Sequence, residues 1–239
     1  GRKTIKKRGF KTKGEARKAE AKAKVAWDEG NYIDPSKMTY GEYVNDWLKK
    51  KQNVSEQTRH TNEGHIRNHI VPLIGHIPLQ KLSVHDIEDF INTLDQKKLA
   101  SGTVKKIYNL VQTSLKAAEK KELISRNPID LLDDGSKPRV EKGKVDFWTP
   151  DEAKQFLNSF EHRQKILFVL AIYTGMRRGE ILGLRWKDID FNTAQIRISQ
   201  ILGFKGKIKD GAKTTAGNRS ITVPPVVIEA LKEHYSKIL

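Results

Sequence analysis

Cysteine is absent from the 239 residues, so disulfides and thiolate metal sites are excluded outright, and a reducing cytoplasmic setting is the natural one. No apolar run approaches the length of a membrane-spanning helix, and no short apolar region follows a basic start to make a secretory signal. No phosphate-binding glycine loop with its lysine occurs, which leaves nucleotide hydrolysis without support. Acidic residues are scarce beside basic ones: 29 Asp and Glu stand against 45 Lys and Arg, a formal charge of +16. Such an excess points to a polyanionic partner, nucleic acid first and an anionic membrane surface second. Aromatic residues are modest in number but placed within apolar patterns, as in a folded chain.

The charge is uneven. Residues 1–37 carry +7, residues 38–144 carry +4 and residues 145–239 carry +5, so the first segment is the densest and reads as an appended basic element. Within it, Arg2 to Phe10 has the pattern of a strand. From Glu15 a Lys- and Ala-rich helix carries Ala16, Ala19, Ala23 and Ala26 on one face and ends near Trp27.

Residues 38–132 read as a helical domain. Thr39 and Glu42 form a capping box ahead of Tyr40, Tyr43, Val44, Trp47 and Leu48 at helical spacing. Ser55 opens a second helix with Ile66, Ile70 and Leu73 late in it, closed by Pro72 and Gly75. Ser83 with Asp86 opens a third carrying Val84, Ile87, Phe90, Ile91 and Leu94. Ser101 opens the longest, with Val104, Ile107, Tyr108, Val111, Leu115 and Ala118 in register, and Asn127-Pro128 ends the set. Four amphipathic helices can enclose a small core. Residues 133–146 are polar, charged and punctuated by Gly and Pro, as an interdomain linker is.

Residues 147–239 read as a second, α+β domain, which makes the chain multidomain and mainly α. Thr149, Pro150 and Glu152 mark a helix start before Ala153, Phe156, Leu157 and Phe160. Ile166 to Tyr173 reads as a helix buried nearly all round, stopped by Gly175. A second helix follows with Ile181, Leu182 and Leu184 inward. Gln195 to Gln200 alternates as a strand, residues 201–223 suggest a strand pair, and Val226 to Leu239 forms a closing helix through Ile228, Leu231 and a core Tyr235.

The turn between the two core helices holds Arg177 and Arg178. Arginine is rarely buried without an anionic partner, so an arginine here is either in a structural ion pair with Glu180 or aimed at a bound anion. In the helical domain, Thr58 and Arg59 early in the second helix, and Lys105 and Lys106 at the start of the longest, lie on free polar faces and are expected against DNA phosphates or in the major groove. His65 and His69 stand at i, i+4 spacing, but no third ligand is placed beside them as a helical zinc site would need.

The string from Thr174 to Asp190, TGMRRGEILGLRWKDID, resembles the first arginine box of the tyrosine recombinases, or phage-type integrases. Their typical form is TG-(Leu/Met)-R-x-x-E-(Leu/Ile)-x-x-L-x-W-x-D-(Ile/Val), and every fixed position is present. Residues 55–82 and 101–128 are similar to the core-binding (SAM-like) domain of integrases, and the first segment to the end of their arm-binding domain. The resemblance implies site-specific DNA recombination by strand cleavage through a 3′-phosphotyrosyl intermediate. That chemistry needs charge stabilised on the non-bridging oxygens, a proton for the leaving 5′-oxygen, and an in-line nucleophile.

Arginine suits the first task, since guanidinium stays charged and donates two parallel hydrogen bonds to a phosphate. By the resemblance this is Arg177, with Glu180 in a supporting role, while Arg178 is a surface residue or one held at the DNA backbone. The family's hairpin lysine corresponds to Lys213, with Lys209 as the competing assignment; Thr214 and Arg219 follow as in the family's pattern and are expected at the DNA. The later His-x-x-Arg pair and the nucleophilic tyrosine have no counterpart, since Tyr235 belongs to the apolar stripe and His234 stands alone. The expectation is that the chain stops partway through the catalytic domain and is inactive alone. The family uses neither metal nor nucleotide. Its partners would be duplex DNA at a specific attachment site, three further copies of itself in a tetramer when full length, and a directionality factor, all at the nucleoid in a bacterial cytoplasm. The rival reading is a non-catalytic DNA-binding regulator derived from a recombinase.

Overall fold

The computed structural model describes residues 9–28, 32–141, 143, 146–210 and 219–238, without the side chain of Ala26. The predicted first strand falls mostly outside these residues, as do Lys213 and Thr214. Contacts divide the chain into two compact units between residues 142 and 143. No described helix is long and apolar enough to cross a membrane.

The first unit is helical. Helix α1 (Lys13–Asp28) keeps Ala16, Ala19 and Ala23 half-buried at i, i+3, i+7 spacing and exposes its lysines. Helix α2 (Tyr40–Lys50) starts on a complete capping box, Glu42 receiving the Thr39 N–H at 2.8 Å while Thr39 Oγ1 receives that of Glu42 at 3.2 Å. A cap of this kind stabilises by about 1 kcal/mol. Its buried face is Tyr40, Tyr43, Val44, Trp47 and Leu48. Helix α3 (Glu56–His65) is capped by Ser55 and buries no side chain of its own. It continues through a π turn at Ile66–Ile70 into α4 (Val71–Ile74).

Pro72 therefore does not close this helix; the chain stays helical through it and stops at Gly75. A proline ring clashes with the carbonyl four residues back in α geometry, and a widened turn immediately before it is one way to accommodate that. Helix α5 (Val84–Gln96) is boxed by Ser83 and Asp86, and α6 (Ser101–Lys120) spans the core with Val104, Ile107, Tyr108, Leu110, Val111, Leu115 and Ala118 buried. Ser101 is the first helical residue of α6 and not its cap. Asn127-Pro128 follows the last of these helices, and Asn127 caps a 3₁₀ turn, Pro128–Leu131, that brings Ile129 and Leu132 into the core. Two buried tyrosines settle on Ser114 of α6, with Tyr40 Oη 2.7 Å from its hydroxyl and Tyr43 donating to its carbonyl at 2.9 Å. Burial pushes the Tyr43 phenol up to about 12.

The second unit begins with α7 (Pro150–Ser159), boxed by Thr149 and Glu152. Helices α8 (Lys165–Thr174), α9 (Arg178–Leu182) and α10 (Pro225–Ser236) follow in chain order, with strands between the last two. Strand β1 (Ile189–Asp190), β2 (Gln195–Ile198) and β5 (Arg219–Thr222) form an antiparallel sheet in the order β1-β2-β5, with Ile196 opposite both Ile189 and Ile221. Strands β3 (Gln200–Leu202) and β4 (Ile208–Asp210) form a separate two-stranded ribbon. The single strand expected over 195–200 is thus broken at Ser199, whose hydroxyl is held by Arg185 at 2.8 Å and Asp188 at 3.2 Å.

Three expectations for this unit fail. Helix α8 buries only Ile166, Val169 and Leu170 and leaves Phe168, Ile172 and Tyr173 exposed. Leu182 is exposed, while Met176 is buried. Tyr235 is 44 % exposed and meets the edge of Trp186 at 4.8 Å between centroids, while Val227 joins Ile228 and Leu231 inside.

Candidate active site

The turn from α8 to α9 is built residue by residue to present Arg177. Thr174 Oγ1 receives the Met176 N–H at 3.2 Å, turning the chain back at once. Gly175 adopts φ +62°, a left-handed conformation that costs a Cβ-bearing residue and ends α8 with its N–H on Ala171. Met176 then drops into the core. Arg177 follows at φ −69°, ψ 149°, the extended geometry of an N-cap, so its side chain leaves the backbone before the helix begins.

Glu180 sits at the third helical position, where a carboxylate reaches back to the N-cap. It is the one buried carboxylate among the described residues, 2 % exposed. Its oxygens receive four donors. Arg177 gives its backbone N–H to Oε2 at 2.9 Å and Nη1 to Oε1 at 3.1 Å. Arg219, at the start of β5, gives Nη1 to Oε1 and Nη2 to Oε2, both at 3.0 Å. All four lone-pair positions of the carboxylate are thereby filled. The Arg219 hydrogen bonds, followed by those of Arg177, hold the Glu180 carboxyl down to about 2 against the opposing effect of burial. The cluster pairs two guanidinium groups with one carboxylate and so keeps one net positive charge.

The two arginines differ in exposure. The Arg177 side chain is 78 % exposed and the Arg219 side chain 32 %. Among the described residues, Glu180 is the only partner of the Arg177 guanidinium, through Nη1, which leaves Nε and Nη2 without a partner there. Arg219, expected at the DNA, places both terminal nitrogens on Glu180. Sequence spacing did not reveal this pair, because it joins residues 39 apart across a helix start and a strand start. Arg178 is exposed at the first position of α9.

The ribbon that leads toward Lys213 is fastened to the same helix. Gly183 lies so close to β3 that a Cβ would sit 2.8 Å from the Leu202 nitrogen, and Gly179 so close that one would sit 3.0 Å from its carbonyl oxygen. Gln200 adds a side-chain bond to the Gly183 carbonyl at 2.7 Å. Beside it, Arg185 grips Asp188 through Nε at 2.6 Å and Nη2 at 3.0 Å, a bidentate pair of the strong kind. Lys209, the competing lysine, is exposed in β4 opposite Ile201. His234 lies on α10 near the Trp186 ring, 6.2 Å between centroids.

In the helical unit the expected DNA residues divide. Arg59 turns back on α2, giving Nη1 to the Leu48 carbonyl and Nη2 to that of Lys51 at 2.7 Å; it caps the C-terminus of that helix. Thr58 shares a 2.7 Å hydrogen bond with Ser55. Lys105 rests over the Tyr108 ring at 4.9 Å and Lys106 is exposed. His65 and His69 have ring centroids 6.2 Å apart, and burial followed by neighbouring positive charge lowers both their pKa values. Among the described residues no group of three His, Cys, Asp or Glu side chains could hold a metal ion.

Two family models match: phage integrase, N-terminal SAM-like domain, over residues 39–94, and the phage integrase family over residues 146–238. The second match contains the whole Arg177–Glu180–Arg219 cluster. The chain belongs to the phage integrase family of tyrosine recombinases. Among curated relatives, a tyrosine recombinase XerC-like protein of Caldanaerobacter subterraneus subsp. tengcongensis is 29 % identical, the match covering 95 % of this chain and 63 % of that protein. The ICEBs1 integrase of Bacillus subtilis is 28 % identical over 75 % of this chain and 49 % of its own length. The chain thus spans roughly half to three-fifths of these relatives. Among solved structures, the Tn1549 transposon integrase in complex with transposon right end DNA superposes with a TM-score of 0.71 at 23 % identity, covering 82 % of this chain and 64 % of that one. A lambda integrase dimer bound to a core site gives 0.61 at 19 %, covering 84 % and 69 %. At these identities the likeness establishes the fold, mainly α with an α+β second unit.

Proposed function

We propose that this chain is the DNA-holding and arginine-bearing part of a site-specific recombinase that integrates or excises a phage or mobile element, and that it works on duplex DNA at an attachment site. The observation that carries the reading is the exposed, still cationic guanidinium of Arg177 on a buried and fully hydrogen-bonded Glu180. Such an arrangement positions a donor pair at a helix start without consuming its charge, as a phosphodiester transition state requires. In this reading Arg177 neutralises the non-bridging oxygens, Lys213 delivers the proton to the leaving 5′-oxygen, and a tyrosine makes the 3′-phosphotyrosyl bond. Lys105, Lys106, Thr58 and Arg178 contact the backbone, and the helical unit at 38–132 is the core-binding domain. Assembly as a tetramer and control by a directionality factor belong to the same proposal. An intact arginine–carboxylate cluster favours a catalytic lineage over a regulator that has lost its chemistry.

The test has two parts. The chain should bind duplex DNA with an affinity that falls steeply as salt rises; no binding at low salt would sink the reading. In a protein that also carries the nucleophile, Arg177→Lys should retain binding and lose most cleavage of a nicked suicide substrate, since lysine cannot give the bidentate contact. Cleavage undiminished in that variant would remove Arg177 from the chemistry.

A further inference from the structure

We infer that Arg219 is a positioning residue: by taking two of the four lone-pair positions of Glu180, it prevents that carboxylate from capturing Arg177 completely and so keeps Arg177 turned toward a phosphate. The inference rests on the DNA-binding reading above and goes beyond it, because it assigns Arg219 a role without DNA contact. A buried carboxylate seeks about four donors, and a guanidinium alone can offer a carboxylate two in parallel. Here Arg219 supplies the parallel pair, at 3.0 Å each. The Arg177 side chain contributes one donor at 3.1 Å, and its backbone the fourth at 2.9 Å.

Without Arg219 two lone-pair positions of a 2 %-exposed carboxylate stand empty, a cost that a neighbouring donor will move to relieve. The Arg177 side chain, 78 % exposed and already bonded to Glu180 through Nη1, carries further nitrogens that can fill those positions. Folding these nitrogens inward completes Glu180 and withdraws the guanidinium from the solvent face. Arg219 therefore acts through Glu180 on the availability of Arg177.

The experiment is a double-mutant cycle on the 239-residue chain, read as the slope of log affinity for duplex DNA against log salt. Arg177→Ala should lower the slope by about 1, one phosphate contact. Arg219→Met should lower it by the same amount, and the double variant should show no further loss. Arg219→Lys, which restores one donor and the charge, should recover part of the slope. Additive losses of about 2 in the double variant would make Arg219 a direct phosphate contact and overturn the proposal; so would an unchanged slope in Arg219→Met. Should Arg219→Met fail to fold by circular dichroism, Arg219→Lys and Arg219→Gln carry the same cycle. A carbon-detected titration of the Glu180 carboxyl provides the arm that needs no DNA: its midpoint should rise in Arg219→Met. If the wild type binds no DNA, the functional reading falls, and an unmoved midpoint would separately overturn the Glu180–Arg219 coupling.

Discussion

The two units use polar groups in opposite ways. Among the described residues, the polar side chains carried inside the first are neutral ones, Ser114 and Asn127, each meeting local needs of helix packing or capping. In the second, whose described core holds half as many buried apolar side chains, the polar side chain carried inside is a charged Glu180. A buried charge is weak evidence for stability, since its desolvation offsets much of what its partners return. The contrast teaches that the larger core is a platform, while the smaller one is organised around an electrostatic fixture.

The strongest way to break that contrast is to damage each unit at its own kind of weak point. Phe90→Ala, in the first core, should cost about 3–5 kcal/mol and lower the denaturation midpoint of that unit alone, followed by calorimetry. A matching loss in the second unit would show that the two do not melt separately. Glu180→Ala should destabilise the second unit by about 3 kcal/mol, at the low end for breaking a buried pair because Arg177 can rehydrate; a loss under about 1 kcal/mol would mean that the cluster is held by its surroundings.

Acid sharpens the comparison. Glu180 has its folded value depressed from 4.5 to about 2, so its contribution is fully present above 4.5 and is lost as pH falls through about 2. Chemical denaturation across that window should show the second unit weakening in the wild type and much less in Glu180→Gln. The smallest expected effect is Arg59→Ala, about 1 kcal/mol in the first unit through the lost C-terminal cap on α2, with no change in the salt dependence of DNA binding. A drop in salt slope there would return Arg59 to the DNA interface.

What was legible in the sequence was local. Thr39 with Glu42, Ser83 with Asp86 and Thr149 with Glu152 each announce a helix start through spacing alone, and all three boxes form. The i, i+3 relation of Arg177 and Glu180 was legible for the same reason. The rest depended on chain reversal. Arg219 meets Glu180, and Tyr235 meets Trp186, only after the strands have brought distant segments together. The bonds of Arg59 to the α2 carbonyls were not legible, because an arginine on a polar face satisfies a neighbouring helix's carbonyls as readily as a phosphate. Helix α8 misled because an all-apolar run gives no periodicity from which an exposed side could be read.

The break at Ser199 has a consequence for how such a chain tolerates change. The path leaves the three-stranded sheet after Ile198 and rejoins it at Arg219, and those two residues face each other in the register. The described residues between them lie outside this sheet, so the chain leaves and rejoins it at a single rung of one ladder. Residues can be added or removed between Ile198 and Arg219 without shifting Ile196 or Ile221 by a single step, so the one-residue slip that would turn a strand inside out is not triggered.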